Sequence, residues 1–264
     1  MQENYVIRGG EKGFTRLQLL AQERWPDTAA LLARAGLGRG MRVADLGCGS
    51  GDVTMGIARL VEPGEAVGID KDEVKLALAR QEAEDRGVEN VTFRALNLHD
   101  WVEPSGYDAV YTRFVLQHLA NPGEMLRRMW ESVRPGGALI VEDADLDSFA
   151  SDPESDGLSL FTRWYAELLR RSGGNAAAAR MLPRLFRSAG IPIASIEVIQ
   201  RHYTDAGAKT LPWSTLDATA DGIVSDGIAT REEVAAALAD LDRLAKNADS
   251  FILGPRVVQV LARR

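Results

Sequence analysis

The period of apolar positions changes several times along this chain, and each change marks an element. Between residues 13 and 35, Leu17, Leu20, Leu31 and Leu32 are separated by charged residues, a helical spacing that Pro26 is expected to break into two helices. Gly36, Gly38 and Gly40 then separate this segment from the rest of the chain. From Arg42 onward, short apolar runs alternate with amphipathic stretches: strands are expected at 43–46, 66–69, 91–95, 107–112 and 138–142, with helices at 52–61, 71–86 and 122–133. Asn121-Pro122 supplies an N-cap and first-turn pair for the last of these helices, and Arg134-Pro135-Gly136-Gly137 stops it.

Alternation of this length predicts an α/β fold, a mostly parallel sheet with right-handed crossovers and helices on both faces. Ligands of such sheets bind at the carboxyl ends of the strands, where Asp45, Asp70, Asn97, Arg113, Glu142, Asp143 and Asp145 fall. After Asp145 the alternation pauses. Helices are expected at 155–172 and 176–189, a sixth strand at 193–199, and two more helices, 213–223 and 230–245, inside an excursion over 203–249. That excursion is too long for a loop, so it is expected to fold as part of a cap. A seventh strand at 251–261 follows, with Pro255 marking a bend or an edge.

Composition narrows the class. With 264 residues, 45% hydrophobic and 26% charged, the chain is an ordinary globular protein with length for a large core. No apolar run approaches membrane-spanning length and residues 1–10 lack the apolar stretch of a signal peptide, so a cytoplasmic location with no membrane partner is expected. A single cysteine, Cys48, excludes an internal disulfide and a multi-cysteine zinc site and reads as a small filler in a glycine turn. The net charge of −7 argues against nucleic acid as a partner.

Chemistry concentrates in Val43-Ala44-Asp45-Leu46-Gly47-Cys48-Gly49-Ser50-Gly51, followed nineteen residues after Gly51 by Asp70. A strand, a tight glycine turn and a helix start suit a nucleoside-containing ligand. Dinucleotide sites read G-x-G-x-x-G, which leaves the helix terminus bare for pyrophosphate. Here the spacing is G-x-G-x-G, and Asp52 and Asp45 flank the place where phosphate would lie. Acids in those positions favour S-adenosylmethionine, which has no phosphate, carries a sulfonium and an ammonium, and presents ribose hydroxyls to an acceptor such as Asp70.

With these elements in order, the chain resembles the class I S-adenosylmethionine-dependent methyltransferases, in particular their small-molecule branch of ubiquinone-type and natural-product enzymes. The resemblance covers roughly residues 40–200 and, more loosely, the last strand. It rests on the glycine turn, Gly68-Ile69-Asp70, Tyr107-Asp108-Ala109-Val110, the run Arg113-Phe114-Val115-Leu116-Gln117-His118-Leu119, and Arg134-Pro135-Gly136-Gly137. It implies a Rossmann-like seven-stranded sheet, S-adenosyl-L-methionine as cofactor and S-adenosyl-L-homocysteine as product. The implied cofactor residues are Tyr5, Asp45, Gly47, Gly49, Gly51, Asp70, Lys71, Asn97, Leu98 and Arg113. Leu96-Asn97 stands where the family usually has Gly-Asp; the Asn97 amide oxygen can accept from the adenine amino group and the Leu98 N–H can reach adenine N1. Arg113 is read as a partner of the methionine carboxylate or of an acidic substrate group, or as the partner of a neighbouring Asp. The implied organisation is an N-terminal helical lid at 1–40, made flexible by Gly9, Gly10 and Gly13, and a binding core at 41–145. The remainder, 146–264, divides into further core at about 175–202 and 250–264 and a helical cap at about 146–174 and 203–249.

Methyl transfer from a sulfonium is an in-line displacement whose leaving group needs no proton, so a base is required only when the nucleophile must lose one. His118 and Asp143 are the candidate catalytic residues. His118 has a second reading as a histidine bonded to a nearby carbonyl, while His99 and His202 read as loop or surface residues. Glu142, Asp143, Asp145 and Asp147 could orient an acceptor; carboxylates in such a run can also ligate a metal through oxygen, but no metal is expected. Phe161, Trp164, Tyr165, Tyr203 and Trp213 read as cap core, and two or three of them lining the cleft would imply a flat or apolar acceptor. The expected activity is methylation of an O, N or C nucleophile on a small organic acceptor in specialised metabolism, with a homo-oligomer left open. Two alternatives stand beside it: a non-methylating S-adenosylmethionine binder acting as sensor, scaffold or cyclase, and a nicotinamide-dependent dehydrogenase.

Overall fold

The computed structural model describes residues 11–264; Tyr5, Gly9 and Gly10 lie outside them. In chain order the elements are α1 (Glu11–Arg34), β1 (Arg42–Leu46), α2 (Asp52–Val61), β2 (Glu65–Asp70), α3 (Glu73–Asp85), β3 (Val91–Ala95), β4 (Tyr107–Arg113), α4 (Pro122–Ser132) and β5 (Val133–Asp145). There follow β6 (Ala150–Asp152), α5 (Asp156–Arg171), α6 (Ala178–Ser188), β7 (Ile193–Ile199), β8 (His202–Tyr203), α7 (Leu211–Ser225), α8 (Arg231–Lys246), β9 (Phe251–Leu253) and β10 (Arg256–Arg263).

The main sheet has seven strands in the order β3-β2-β1-β4-β5-β10-β7, parallel except that β10 runs antiparallel to both of its neighbours. Strand alternation distributes the core to two faces. Val43, Ala109 and Tyr111 pack with Leu31 and Leu32 of α1, Ile57 of α2 and Ala79 of α3. Ala44, Leu46 and Val110 pack on the opposite face with Leu126 and Met129 of α4 and Leu182 and Phe186 of α6. The expected α/β architecture, Rossmann-like and mostly parallel with a helix ahead of β1 and added helices after β5, is the one observed.

Three local expectations are corrected. Pro26 does not divide α1, which runs through it. Both halves are anchored: Ala21, Arg24, Thr28, Leu31 and Leu32 are buried, and the Trp25 ring fills the space left by the missing side chain of Gly56. Packing of that extent outweighs the roughly 3 kcal/mol that an interior proline costs a helix. The stretch Arg134-Pro135-Gly136-Gly137 lies inside a longer β5, as an irregularity between the pairs Tyr107 with Val133 and Ala109 with Ala138. The strand expected at 251–261 is split at Gly254-Pro255 into β9 and β10, and β9 joins β6 and β8 in a second, three-stranded sheet.

Helices α5, α7 and α8 form a separate apolar unit above the carboxyl ends of the strands. Its core includes Phe161, Trp164, Tyr165, Leu168, Leu216, Ile223 and Leu241. Ser155 caps α5 by accepting from Leu158 N at 3.0 Å and donates to Asp240 Oδ2 of α8 at 2.6 Å. A capping box of Thr230 and Glu233 opens α8.

Candidate active site

A cleft of about 960 Å³ opens over the carboxyl ends of β1, β2 and β4, walled by α1 on one side and the helical unit on another. Its floor is the glycine turn. Gly47 N and Cys48 N both donate to Ile69 O, at 2.7 and 3.1 Å, which ties the turn to β2. Gly47 adopts a φ of 73°, and a methyl group on it would collide with Val115 Cγ2, so the turn over it needs glycine twice over. Gly47, Cys48, Gly49 and Ser50 line the cleft. Gly51 does not; it is the N-cap of α2, and a methyl group there would strike the Phe93 ring, so its lack of a side chain serves packing.

Two carboxylates stand at the ends of β1 and β2. Asp45 is buried and accepts from Thr54 Oγ1 at 2.6 Å. Burial, opposed by that hydrogen bond and by Arg113, pushes its pKa up to about 6. Asp70 accepts from Gly49 N and from Asp72 N, each at 3.0 Å on a different oxygen. Backbone donors thus fix its carboxylate and leave lone pairs for a ligand. Asp52 accepts from Ser50 Oγ at 2.8 Å and pairs with Arg86 at 3.2 Å. Lys71, Asn97, Leu98 and the exposed His99 line the same end of the cleft. Asn97 Oδ1 already accepts from His99 N at 3.1 Å, so one of its two lone pairs is in use.

On the β4 side, Phe114 takes a left-handed backbone conformation, φ 57°, with its N–H on Glu142 O at 2.9 Å. This bend sends residues 114–119 across Gly47 and brings Arg113, Phe114, Val115 and His118 to the cleft. His118 is half-buried in a 3-10 turn; burial first, then the neighbouring charges of Arg16, Lys71 and Lys75, lower its pKa to about 4. Its imidazole is therefore neutral near pH 7.

The acidic run expected after the fifth strand falls mostly within the end of β5, which takes in Glu142, Asp143 and Asp145, and its members are dispersed. Glu142 is buried and accepts from Thr28 Oγ1 (2.8 Å), Tyr111 OH (2.6 Å) and Gln259 Nε2 (2.7 Å). Thr28 in turn accepts from Arg113 Nη1 at 3.2 Å, a chain that links α1 to β4, β5 and β10. Asp143 is fully buried, accepts from Gln117 N at 3.0 Å and Ala144 N at 2.9 Å, and does not line the cleft. It holds the turn that carries His118, and burial raises its pKa to about 7. Asp145 and Asp147 both pair with Arg180. Among the described residues, no group of three or more His, Cys, Asp and Glu is arranged to hold a metal ion. His202 lies exposed on β8, away from the cleft, and burial pushes the Cys48 thiol well up, as befits a filler.

The cap side of the cleft carries an apolar wall, Phe149, Phe161, Tyr165, Leu168 and Leu211, with Arg171, Asp221 and Asp226 also on its lining. Phe161 and Tyr165 stack with centroids 5.9 Å apart. Of the five aromatic residues singled out in the sequence, Phe161, Tyr165 and Tyr203 line the cleft and Trp164 and Trp213 do not. Sequence reasoning missed Thr54, Tyr111 and Arg24. Arg24 had a signal: it stands seven residues after Leu17, a charge on the apolar stripe of α1.

Residues 37–169, half of the chain, match the family described as methyltransferase domain. The chain belongs to this family. Its fold is the S-adenosylmethionine-binding methyltransferase fold, whose cofactor is S-adenosylmethionine. An S-adenosylmethionine-dependent methyltransferase from Mesorhizobium loti superposes with a TM-score of 0.56 at 20% identity, covering 93% of this chain and 100% of that one. The [4+2]-cyclase SpnF has the same fold, with a TM-score of 0.57 at 23% identity over 90% of this chain and 80% of its own. In sequence, the ubiquinone/menaquinone biosynthesis C-methyltransferase UbiE of Yersinia enterocolitica is 37% identical over 110 residues, 40% of this chain and 44% of that protein. The chain spans less than half the length of the curated relatives it matches. No helix among the described residues is long and apolar enough to cross a membrane.

Proposed function

We propose that this protein transfers a methyl group from S-adenosylmethionine to an O, N or C nucleophile of a small organic acceptor seated under the helical cap. The observation that carries this reading is the division of one cleft into two walls. A glycine turn with two oriented carboxylates, Asp45 and Asp70, faces an apolar wall of Phe161, Tyr165 and Leu168.

The donor set fits the cofactor. When bound, S-adenosylmethionine supplies a methyl group activated by its sulfonium. Asp70 receives the ribose hydroxyls, Gly47 and Gly49 admit the ligand close to the backbone, and Asp45 offers its charge to the cationic methionine end. Asn97 and Leu98 take the adenine, Lys71 closes that edge, and Arg113 holds the methionine carboxylate. Gly51 keeps its place in this set as the start of α2; Tyr5, the remaining residue of the expected set, lies outside the described residues.

His118, neutral and on the cleft wall, accepts a proton from the acceptor nucleophile where one must leave. Asp143 acts through it as a positioning residue, by fixing the turn at residues 116–118. The apolar wall aligns the acceptor and excludes water, which is where an in-line displacement gains most. Segments 41–145 and 146–264 serve as binding core and as cap with remaining core; of the expected lid at 1–40, the first half of α1 walls the cleft and its second half packs into the core. The likeness to a ubiquinone-type C-methyltransferase supports the small-molecule branch and leaves the acceptor open.

A second reading, cyclisation without methyl transfer, is favoured by the shared fold with SpnF. One experiment separates the two. The protein is incubated with methyl-labelled S-adenosylmethionine and a panel of aromatic and apolar alcohols, amines, activated carbons and polyenes. Label in an acceptor with one equivalent of S-adenosylhomocysteine formed is the expected result. An acceptor converted with the cofactor unconsumed would sink methyl transfer in favour of cyclisation.

A further inference from the structure

The cofactor reading leaves the guanidinium of Arg24 unused. Arg24 is 3% exposed and belongs to the cleft wall. Its Nη2 reaches Pro255 O at 3.4 Å, while Nε and Nη1 have no hydrogen-bond partner among the described residues. A buried guanidinium in that state calls for an acceptor from elsewhere. Asp27, the carboxylate acting on Arg24, is committed: it gives one oxygen to Arg201 Nε at 2.5 Å and the other to Arg201 Nη2 at 2.9 Å, and Glu142 is filled by Thr28, Tyr111 and Gln259. Burial lowers the pKa of Arg24 most, Tyr203 and Asp27 oppose that, and the positive charges of Arg113 and Arg201 add to the lowering.

Position separates Arg24 from the glycine turn. Leu17 stands over Gly49, its Cδ1 3.1 Å from where a β-carbon would lie. Arg24 comes seven residues later, about 10 Å further along the axis of α1. There it meets Tyr203, whose ring centroid is 5.9 Å from its Cζ, and the apolar wall lies beyond.

We propose that Arg24 is an anion subsite for the methyl acceptor, which selects an apolar or aromatic molecule carrying a carboxylate. The acceptor's role rests on the methyltransferase reading; the subsite itself does not. A guanidinium fork matches the two oxygens of a carboxylate, and the wall of Phe161, Tyr165 and Leu168 takes the apolar body. Arg113 remains free to serve the cofactor, so two anionic groups each have a guanidinium.

The probes are 4-phenylbutyrate and 4-phenylbutan-1-ol, which share one apolar body. Their affinities are measured by calorimetry and ligand-observed NMR, with and without saturating S-adenosylhomocysteine, on the full chain and on Arg24→Gln and Arg24→Lys. The wild type is expected to bind the carboxylate at least tenfold tighter than the alcohol. Arg24→Gln removes that preference, Arg24→Lys keeps part of it, and S-adenosylhomocysteine affinity changes less than threefold in both. Melting curves report whether each variant folds; if Arg24→Gln does not, a reduced but surviving preference in Arg24→Lys supports the subsite in its place. Equal affinity of the two probes for the wild type overturns the proposal, and so does a preference that survives Arg24→Gln. A tenfold loss of S-adenosylhomocysteine affinity in Arg24→Gln also overturns it and gives Arg24 to the cofactor. If the wild type does not bind S-adenosylhomocysteine yet keeps the carboxylate preference, the cofactor reading falls and the subsite stands.

Discussion

The two walls of the cleft are built by opposite rules. On the glycine-turn wall, backbone does most of the aiming: Asp70 is held by two N–H groups and the turn by Ile69 O, with Asp45 fixed by the Thr54 hydroxyl. On the cap wall, side chains hold side chains, as in the stack of Phe161 on Tyr165 and the edge contact of Phe149 with Phe161. A backbone-aimed site tolerates little change in what it binds, whereas an apolar wall can be reshaped one residue at a time. The cofactor side should therefore be rigid and the acceptor side adaptable.

Phe161→Ala tests whether the walls are energetically separate and should have the largest effect. It empties a buried aromatic site in the cap and should cost about 3–5 kcal/mol of stability. S-adenosylhomocysteine affinity, read by calorimetry below the melting transition, should stay within about twofold if the backbone aims the other wall. A parallel loss of cofactor affinity would erase the distinction. Asp70→Ala is the converse. It should weaken S-adenosylmethionine binding by roughly 1.5–3 kcal/mol, the range for a charged hydrogen bond, with little change in acceptor affinity.

A third expectation concerns pH. Asp143 and Asp45 have pKa values raised to about 7 and about 6 from 3.8, so between those limits the folded state holds more protons than the unfolded one. Stability contributed by these groups is present at low pH and is lost as pH rises through the folded values. Between pH 5 and 7 the protein should lose on the order of 3–4 kcal/mol, measured by urea titration, and Asp143→Asn should remove more than half of that slope. An unchanged slope would mean that Asp143 does not hold its proton as a buried acid. The smallest effect belongs to Thr28→Val, which removes the hydroxyl between Arg113 and Glu142 and should cost about 1 kcal/mol of stability, read as a shift of the urea midpoint.

The same contrast explains what could be read from the sequence. Strand alternation and the glycine turn follow from short-range rules, so the sheet, Asp45, Asp70, Gly47 and Gly49 were legible in order and place. The placement of Asp143 was not, because strand parity alone does not say what lies opposite each face. Glu142 turns toward α1, whereas Asp143 turns toward the loop at residues 116–118. Strands β6, β8 and β9 have two or three residues each, too few for a period to show. The continuity of α1 through Pro26 depends on Gly56 and the sheet, distant partners that no local spacing announces.

Helix α1 touches both walls. Leu17 lies over Gly49, Thr28 is bonded to Glu142, and Asp27 is clamped to Arg201, the residue before β8. On the proposed reading, a rod that touches both walls puts cofactor and acceptor binding in one linked equilibrium. By whatever factor an occupied cap tightens the hold on the cofactor, a bound cofactor must tighten the hold on the acceptor by the same factor.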